Sequence, residues 1–136
     1  MTAKTAVLVI ARVLLALMFV LAGASKFGNL GGAAGYFASK GLPFPMLLAF
    51  GTAALELIGG LAIMFGLQAR IAALALAVFT LLASLLFHNF WALPADQQMV
   101  QQLMFMKNLS VAGGLLLLFS FGAGAASLDA RRIAAA

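Results

Sequence analysis

The stretch LLAFGTAALELIGGLAIMFGL, residues 47–67, is a long apolar run with one charged residue, Glu56, near its middle. A helix that crosses the hydrocarbon core of a bilayer needs about 20 consecutive apolar residues. Because unpaired backbone amides are costly in hydrocarbon, such a run is expected to be helical. The stretch therefore predicts a membrane-spanning helix that carries a carboxylate within the membrane.

Similar runs lie on both sides of this one. We predict four spanning helices, over about residues 5–27, 45–66, 70–91 and 101–121. The segments between them collect Gly, Pro, Asn and Gln and are interpreted as loops. The predicted fold is an all-α, integral membrane four-helix bundle that forms a single domain over residues 1–136.

The composition leads to the same class. The chain of 136 residues is 65% hydrophobic and 8% charged, whereas soluble proteins average about 45–50% and 25%. Eight basic and three acidic residues cannot cover the surface of a soluble globule of this size. The net charge of +5 needs no nucleic acid partner, since basic residues commonly flank membrane helices.

The basic residues also predict the orientation in the membrane. One side of the predicted bundle carries four of them: Lys4, Arg70, Arg131 and Arg132. The opposite side carries Lys26 and Lys40 together with Asp96. The excess of basic residues places both termini in the cytoplasm. Ala22-Gly23-Ala24 resembles a signal cleavage site, but the preceding run is long and contains Arg12, so a retained first helix is favoured.

Several kinds of chemistry have no residues to support them. The sequence contains no cysteine, so the chain itself can neither exchange thiols nor hold a metal through sulfur. One histidine, His88, is too few for a metal site. No dinucleotide fingerprint, phosphate loop or nucleophile signature is present. A redox role would therefore need a bound cofactor, such as a quinone, or a partner subunit.

Polar residues within the spans point to an interior column. At 1.5 Å rise per residue, Arg12, Glu56 and Thr80 lie at matching depths of ~12–15 Å. We therefore predict an Arg12–Glu56 ion pair between the first two spans, which would either fix helix register or belong to a ligand site. A third possibility, that Glu56 takes up a proton and so serves as a proton acceptor, stays open.

The helical faces that carry these residues define a candidate ligand site. His88 could contact a quinone or belong to the aromatic belt at the membrane surface, and Trp91 fits the belt better. Lys26 fits a side chain that extends to the membrane surface. The candidate ligand-binding residues are Arg12, Lys26, Glu56, Thr80, Ser84, His88, Trp91, Lys107 and Asn108.

Six blocks of the sequence follow one another in a recognisable order: ARVLLALMFVLAGASKF at 11–27, AAGYFASKGLPFP at 33–45, LELIGGLAIMFGLQAR at 55–70, LLFHNFW at 85–91, MKNLSVAGGLLLL at 106–118 and SLD at 127–129. In these blocks the chain resembles the DoxX family of small bacterial four-helix membrane proteins. The resemblance implies a multi-pass protein of the bacterial inner membrane. Some members are subunits of membrane oxidoreductases, including a thiosulfate:quinone oxidoreductase, but thiosulfate oxidation is not carried over to this chain.

Two functional hypotheses follow. In the first, the chain is the membrane subunit or accessory of an oxidoreductase and binds quinone in the polar column. In the second, it is a non-enzymatic bundle that binds a lipid or small molecule, or supports assembly of a partner membrane protein. Transport is a weaker third choice, because four helices enclose little path unless the chain forms a homo-oligomer. A partner subunit and self-association are both compatible with these hypotheses.

Overall fold

The computed structural model describes residues 1–135. Its helices are α1 (Ala3–Gly28), α2 (Leu30–Ser39), α3 (Pro45–Phe65), α4 (Ala69–Phe87), α5 (Ala95–Phe121) and α6 (Leu128–Ala134), with a 3-10 turn at Phe90–Ala92. The described residues contain no strand, and α1, α3, α4 and α5 are long and apolar enough to cross a membrane. The predicted all-α class with four spans is confirmed.

The spans associate as two closely packed pairs. Helix α1 packs along α3, and α4 packs along α5, while α3 joins the pairs through a smaller contact with α4. Glycine permits the first pairing: a Cβ at Gly23 would lie 2.5 Å from the backbone nitrogen of Leu57, and one at Gly60 would lie 3.0 Å from that of Val20. Small residues of this kind let membrane helices approach backbone to backbone.

The core of the bundle takes buried apolar residues from every span. Phe19 of α1, Ile63 of α3, Leu76 of α4 and Leu115 of α5 are all at most 2% exposed. The outward faces carry many exposed Leu, Ile, Val and Phe side chains. Such a surface suits hydrocarbon as its solvent.

The segment between the first two spans is not the predicted loop. It contains the ten-residue helix α2, whose N-cap Asn29 accepts a hydrogen bond from the backbone N–H of Gly32 at 2.9 Å. Gly41, at φ 72°, ends the helix and donates to the carbonyl of Ala38 at 2.9 Å. Buried Phe37 packs α2 against the start of α3 and against Phe87 at the end of α4.

The other boundaries differ by less. Helix α5 begins at Ala95, directly after Pro94, rather than near residue 101. Helix α4 ends at Phe87, so Trp91 belongs to the 3-10 turn and not to the third span. The polar tail is helical, because the Ser127 hydroxyl accepts from the Ala130 N–H and caps α6. Polar residues near the ends of spans are thus helical here, which hydropathy alone does not predict.

Candidate functional site

A partly open cavity of about 500 Å³ lies between the two helix pairs. It forms on the side of the bundle where α1 and α5 make little contact, and α2 contributes part of its wall. Its polar lining consists of Lys26, Glu56, Thr80, His88, Lys107 and Asn108. Its aromatic lining consists of Phe19, Tyr36, Phe37, Phe79 and Phe87. We refer to it as the central cavity.

An ion pair between Lys26 and Glu56 lies on the cavity wall. The Lys26 Nζ donates to Oε2 of Glu56, and this is the only salt bridge within residues 1–135. The Glu56 side chain is 8% exposed and that of Lys26 is 24% exposed. Each charge offsets the cost of placing the other among apolar helices.

The predicted Arg12–Glu56 ion pair is therefore wrong. Matching depths for Arg12 and Glu56 would require Lys4 and Gly66 to lie at one level, but the Arg12 guanidinium lies beside Gly66. Helix α1 thus extends more than two turns beyond the end of α3. Glu56 lies instead next to the part of α1 that contains Gly23, and Lys26 is one turn farther along.

Arg12 is bound entirely by backbone carbonyls. Its Nε donates to Met64 at 3.2 Å, Nη1 to Ala123 at 2.6 Å and Nη2 to Ala126 at 3.0 Å. Met64 lies in the last turn of α3, where free carbonyls favour a cation. Arg12 does not line the central cavity, and its place is between the end of α3 and the segment after α5.

The SLD motif closes the same end of the bundle. Both carboxylate oxygens of Asp129 accept backbone N–H groups at the start of α4, from Gln68 at 2.7 Å and from Ala69 at 3.0 Å. The Asp129 N–H donates to the carbonyl of Gly66 at 2.8 Å. Asp129 therefore caps α4 from a distant part of the chain, which spacing in the sequence does not reveal.

Thr80 presents an unpaired polar group within the bundle. Its side chain is 3% exposed, and its Oγ1 has no hydrogen-bond partner in the described part of the chain. The hydroxyl of Ser84, by contrast, donates to the Thr80 carbonyl at 2.8 Å. An unpaired buried hydroxyl is costly and uncommon, and this one belongs to a residue that lines the central cavity.

Aromatic rings stack along another wall of the central cavity. The ring of Phe87 stacks on Tyr36 and on Phe37, with centroids 5.5 Å apart in each case. His88 follows directly, and its Nδ1 is 2.8 Å from the side-chain oxygen of Gln101. Tyr36 and Phe37 were missed in the sequence because their segment was interpreted as a loop. The cavity thus combines flat apolar surfaces with hydrogen-bonding groups.

Six of the nine candidate residues come together at this cavity, and three do not. The six are Lys26, Glu56, Thr80, His88, Lys107 and Asn108. Of the others, Arg12 and Ser84 have hydrogen bonds elsewhere. Trp91 is 55% exposed and packs edge-on against Phe90 and Phe105, an arrangement typical of an interfacial aromatic residue.

The fold and the cavity define a class, a helical membrane bundle with four spans around a polar interior site. The DoxX family model matches residues 7–89, and the chain belongs to this family. The chain is 43% identical over 125 residues to the Escherichia coli (strain K12) inner membrane protein YqjF, covering 88% of this chain and 87% of YqjF. It is therefore a multi-pass protein of the bacterial inner membrane.

Two further relatives extend the comparison. The Escherichia coli (strain K12) inner membrane protein YphA is 35% identical over 129 residues, which cover 95% of this chain and 92% of YphA. The Bacillus subtilis (strain 168) protein named "Putative oxidoreductase CatD" is 40% identical over 67 residues, 49% of this chain and 48% of CatD. No solved structure matches the chain significantly.

Proposed function

We propose that the central cavity binds the head group of a quinone and that the chain is the membrane subunit of an oxidoreductase. The observation that carries the proposal is the unpaired, buried Thr80 hydroxyl in a cavity that also contains the Lys26–Glu56 pair. After a small shift of the side chains that cover it, this hydroxyl would donate to a ligand carbonyl without breaking any hydrogen bond within the described chain.

The shape and lining of the cavity support a flat ligand with carbonyl groups. The volume of about 500 Å³ lies within the range of roughly 300–1,000 Å³ that is common for small-molecule sites. The rings of Phe37 and Phe87 offer apolar faces to a quinone ring. Lys26, Thr80 and Asn108 can donate hydrogen bonds to its two oxygens.

The residues of the chain fit binding and proton supply better than electron supply. A quinone, when bound, accepts two electrons and two protons to become a quinol. The chain has no cysteine, so the electrons would come from a partner subunit. The Lys26–Glu56 pair and His88 hold exchangeable protons at the cavity. The name of the relative CatD supports the same assignment.

The proposal includes an orientation and a set of partners. Both termini would face the cytoplasm, as the distribution of basic residues predicts. The four spans lie in the lipid bilayer. An oxidoreductase partner could bind at either end of the bundle, and self-association remains a prediction.

The test compares quinone retention in three forms of the protein. Wild type, Thr80→Val and Thr52→Val would be purified in nanodiscs of bacterial lipid, and bound quinones identified by solvent extraction and mass spectrometry. Thr52→Val is the matched control, because the Thr52 hydroxyl donates to the Ala49 carbonyl of its own helix and lies outside the cavity.

Quinone retained by wild type and Thr52→Val, and reduced in Thr80→Val, would support the proposal. Wild-type protein without quinone, and without response to an added short-chain quinone, would refute it. Retention of a different amphiphile, lost only in Thr80→Val, would instead support the non-enzymatic hypothesis. The fact that Lys26 and Glu56 already pair with each other is compatible with such a binding role.

A further inference from the structure

A second groove lies at the opposite end of the bundle, where α6 folds against the start of α4 and the end of α5. Its volume is about 570 Å³, and it shares no lining residue with the central cavity. Two arginines line it, Arg70 at the start of α4 and Arg132 on α6. The groove stands at the ends of α4 and α5, two of the helices long and apolar enough to span a membrane, so we expect it near the membrane surface.

The two arginines leave a positive charge in the groove. Neither forms a salt bridge within residues 1–135, and Arg70 lies against Gly122, where a Cβ would be 3.2 Å from its Nε. Asp129 is the only carboxylate among the lining residues. Both of its oxygens already accept backbone N–H groups of the α4 cap. The guanidinium groups are therefore available to an anion.

Apolar side chains beside the arginines indicate which kind of anion would fit the groove. Ile71, Phe121 and Ile133 line the same groove and are 68%, 80% and 79% exposed. A soluble anion would leave these three side chains uncovered. A molecule with an anionic head and an apolar tail would pair with the arginines and cover the apolar residues together.

We propose that this groove is a binding site for an anionic phospholipid, with the lipid phosphate held by Arg70 and Arg132 and an acyl chain against Ile71, Phe121 and Ile133. Basic pockets between spanning helices at a membrane surface bind anionic lipid head groups in this way. The site lies beside the carbonyl groups that bind Arg12 and beside the Asp129 cap of α4. A bound lipid would therefore stabilise this end of the bundle.

The test measures lipid preference with the full-length protein. Native mass spectrometry would compare binding of phosphatidylglycerol and phosphatidylcholine to wild type, to Arg70→Gln/Arg132→Gln and to Arg131→Gln. Arg131 is the matched control, because it neighbours Arg132 on α6 but does not line the groove. We expect wild type to prefer phosphatidylglycerol. Affinity should fall roughly fivefold for each arginine removed from the groove and little in the control.

Two further variants distinguish a loss of lipid binding from a loss of folding. Arg70→Lys/Arg132→Lys keeps both charges and should retain most of the preference, whereas Ile133→Ser should weaken retention of lipid but not of soluble glycerol phosphate. Equal losses in Arg131→Gln and in the double glutamine variant would overturn the proposal, because they would indicate only a diffuse surface charge. Displacement of the lipid by millimolar inorganic phosphate would also overturn it.

Discussion

Helix α1 contains two cations whose surroundings differ in kind. Arg12 and Lys26 lie about four turns apart on the same helix, and both are at least partly buried. The three nitrogens of Arg12 are bound by backbone carbonyls, and Arg12 does not line the central cavity. Lys26 pairs with Glu56 at the wall of the central cavity. A charged residue within a span is thus structural at one end of the bundle and a candidate ligand contact at the other.

The largest effect is expected at Arg12. Arg12→Met would remove three charge-assisted hydrogen bonds and leave the carbonyls of Met64, Ala123 and Ala126 without a donor. We expect the free energy of unfolding to fall by about 3–5 kcal/mol, measured by equilibrium unfolding in mixed micelles. The folded fraction should still bind the same ligand in the central cavity, because Arg12 is not part of its wall.

Arg12→Lys sharpens the same prediction. A lysine keeps the charge but cannot reproduce the planar fork that reaches three separate carbonyls. Its stability should therefore lie between those of wild type and Arg12→Met. If the lysine variant matched wild type, the positive charge alone would explain the stability, and the three hydrogen bonds of the guanidinium group would add nothing to it.

The second effect is expected at the ion pair. Glu56→Ala leaves Lys26 without its partner and should lower the free energy of unfolding by about 2–3 kcal/mol, less than for a fully dry pair because the Lys26 side chain is partly exposed. Lys26→Met/Glu56→Leu should recover most of this loss in the same unfolding measurement. An Arg12→Met/Glu56→Leu variant should not recover it, since these residues are not partners.

The double variant also separates stability from binding. Lys26→Met/Glu56→Leu should be stable but should lose the ligand of the central cavity, because it removes the ion pair from the cavity wall. Retention of that ligand at the wild-type level would show that the pair only holds α1 against α3. The two ends of α1 would then be alike, and the contrast between them would fail.

The third effect is smaller and concerns the Asp129 cap. Asp129→Ala would expose the N–H groups of Gln68 and Ala69 at the start of α4. We expect a loss of about 1–2 kcal/mol, the usual range for a removed N-cap, read as a lower thermal midpoint in nanodiscs. Asp129→Asn keeps one acceptor oxygen and should lose less. Ligand binding at the central cavity should not change in either variant.

The spanning helices could be predicted from the sequence because the bilayer imposes a length and an apolar composition that are visible locally. Helix α2 could also have been predicted, from its capping residues rather than from hydropathy. Asn29 is a suitable N-cap, and Gly41 supplies the positive φ that ends a helix. Considering both would have placed Tyr36 and Phe37 on a helix and so among the candidate residues.

The partners of buried charges could not be predicted in the same way. A depth counted from a helix end is only as good as the alignment of that end with its neighbours, and α1 extends beyond α3 by more than two turns. The acceptors of Arg12 are backbone carbonyls, which every residue has, so no residue type identifies them. The helical faces predict which polar residues share a site. They do not predict which of these residues contact each other, because that depends on how the helices are aligned along their axes.

The smallest effect on stability is expected at Thr80, where the change in binding should be large. Thr80→Val replaces an unpaired buried hydroxyl with a methyl group of similar size, so no hydrogen bond within residues 1–135 is lost. We expect the free energy of unfolding without ligand to stay within about 0.5 kcal/mol of wild type or to rise.

Unfolding of the ligand-free protein in mixed micelles checks this directly, with Thr52→Val as control, since the Thr52 hydroxyl does have a carbonyl acceptor. A clear loss of stability in Thr80→Val would mean that its hydroxyl has a partner within the folded protein, such as a bound water. The central cavity would then resemble the Arg12 end of α1, where the polar groups are already satisfied, and the main reason to assign it a ligand would be gone.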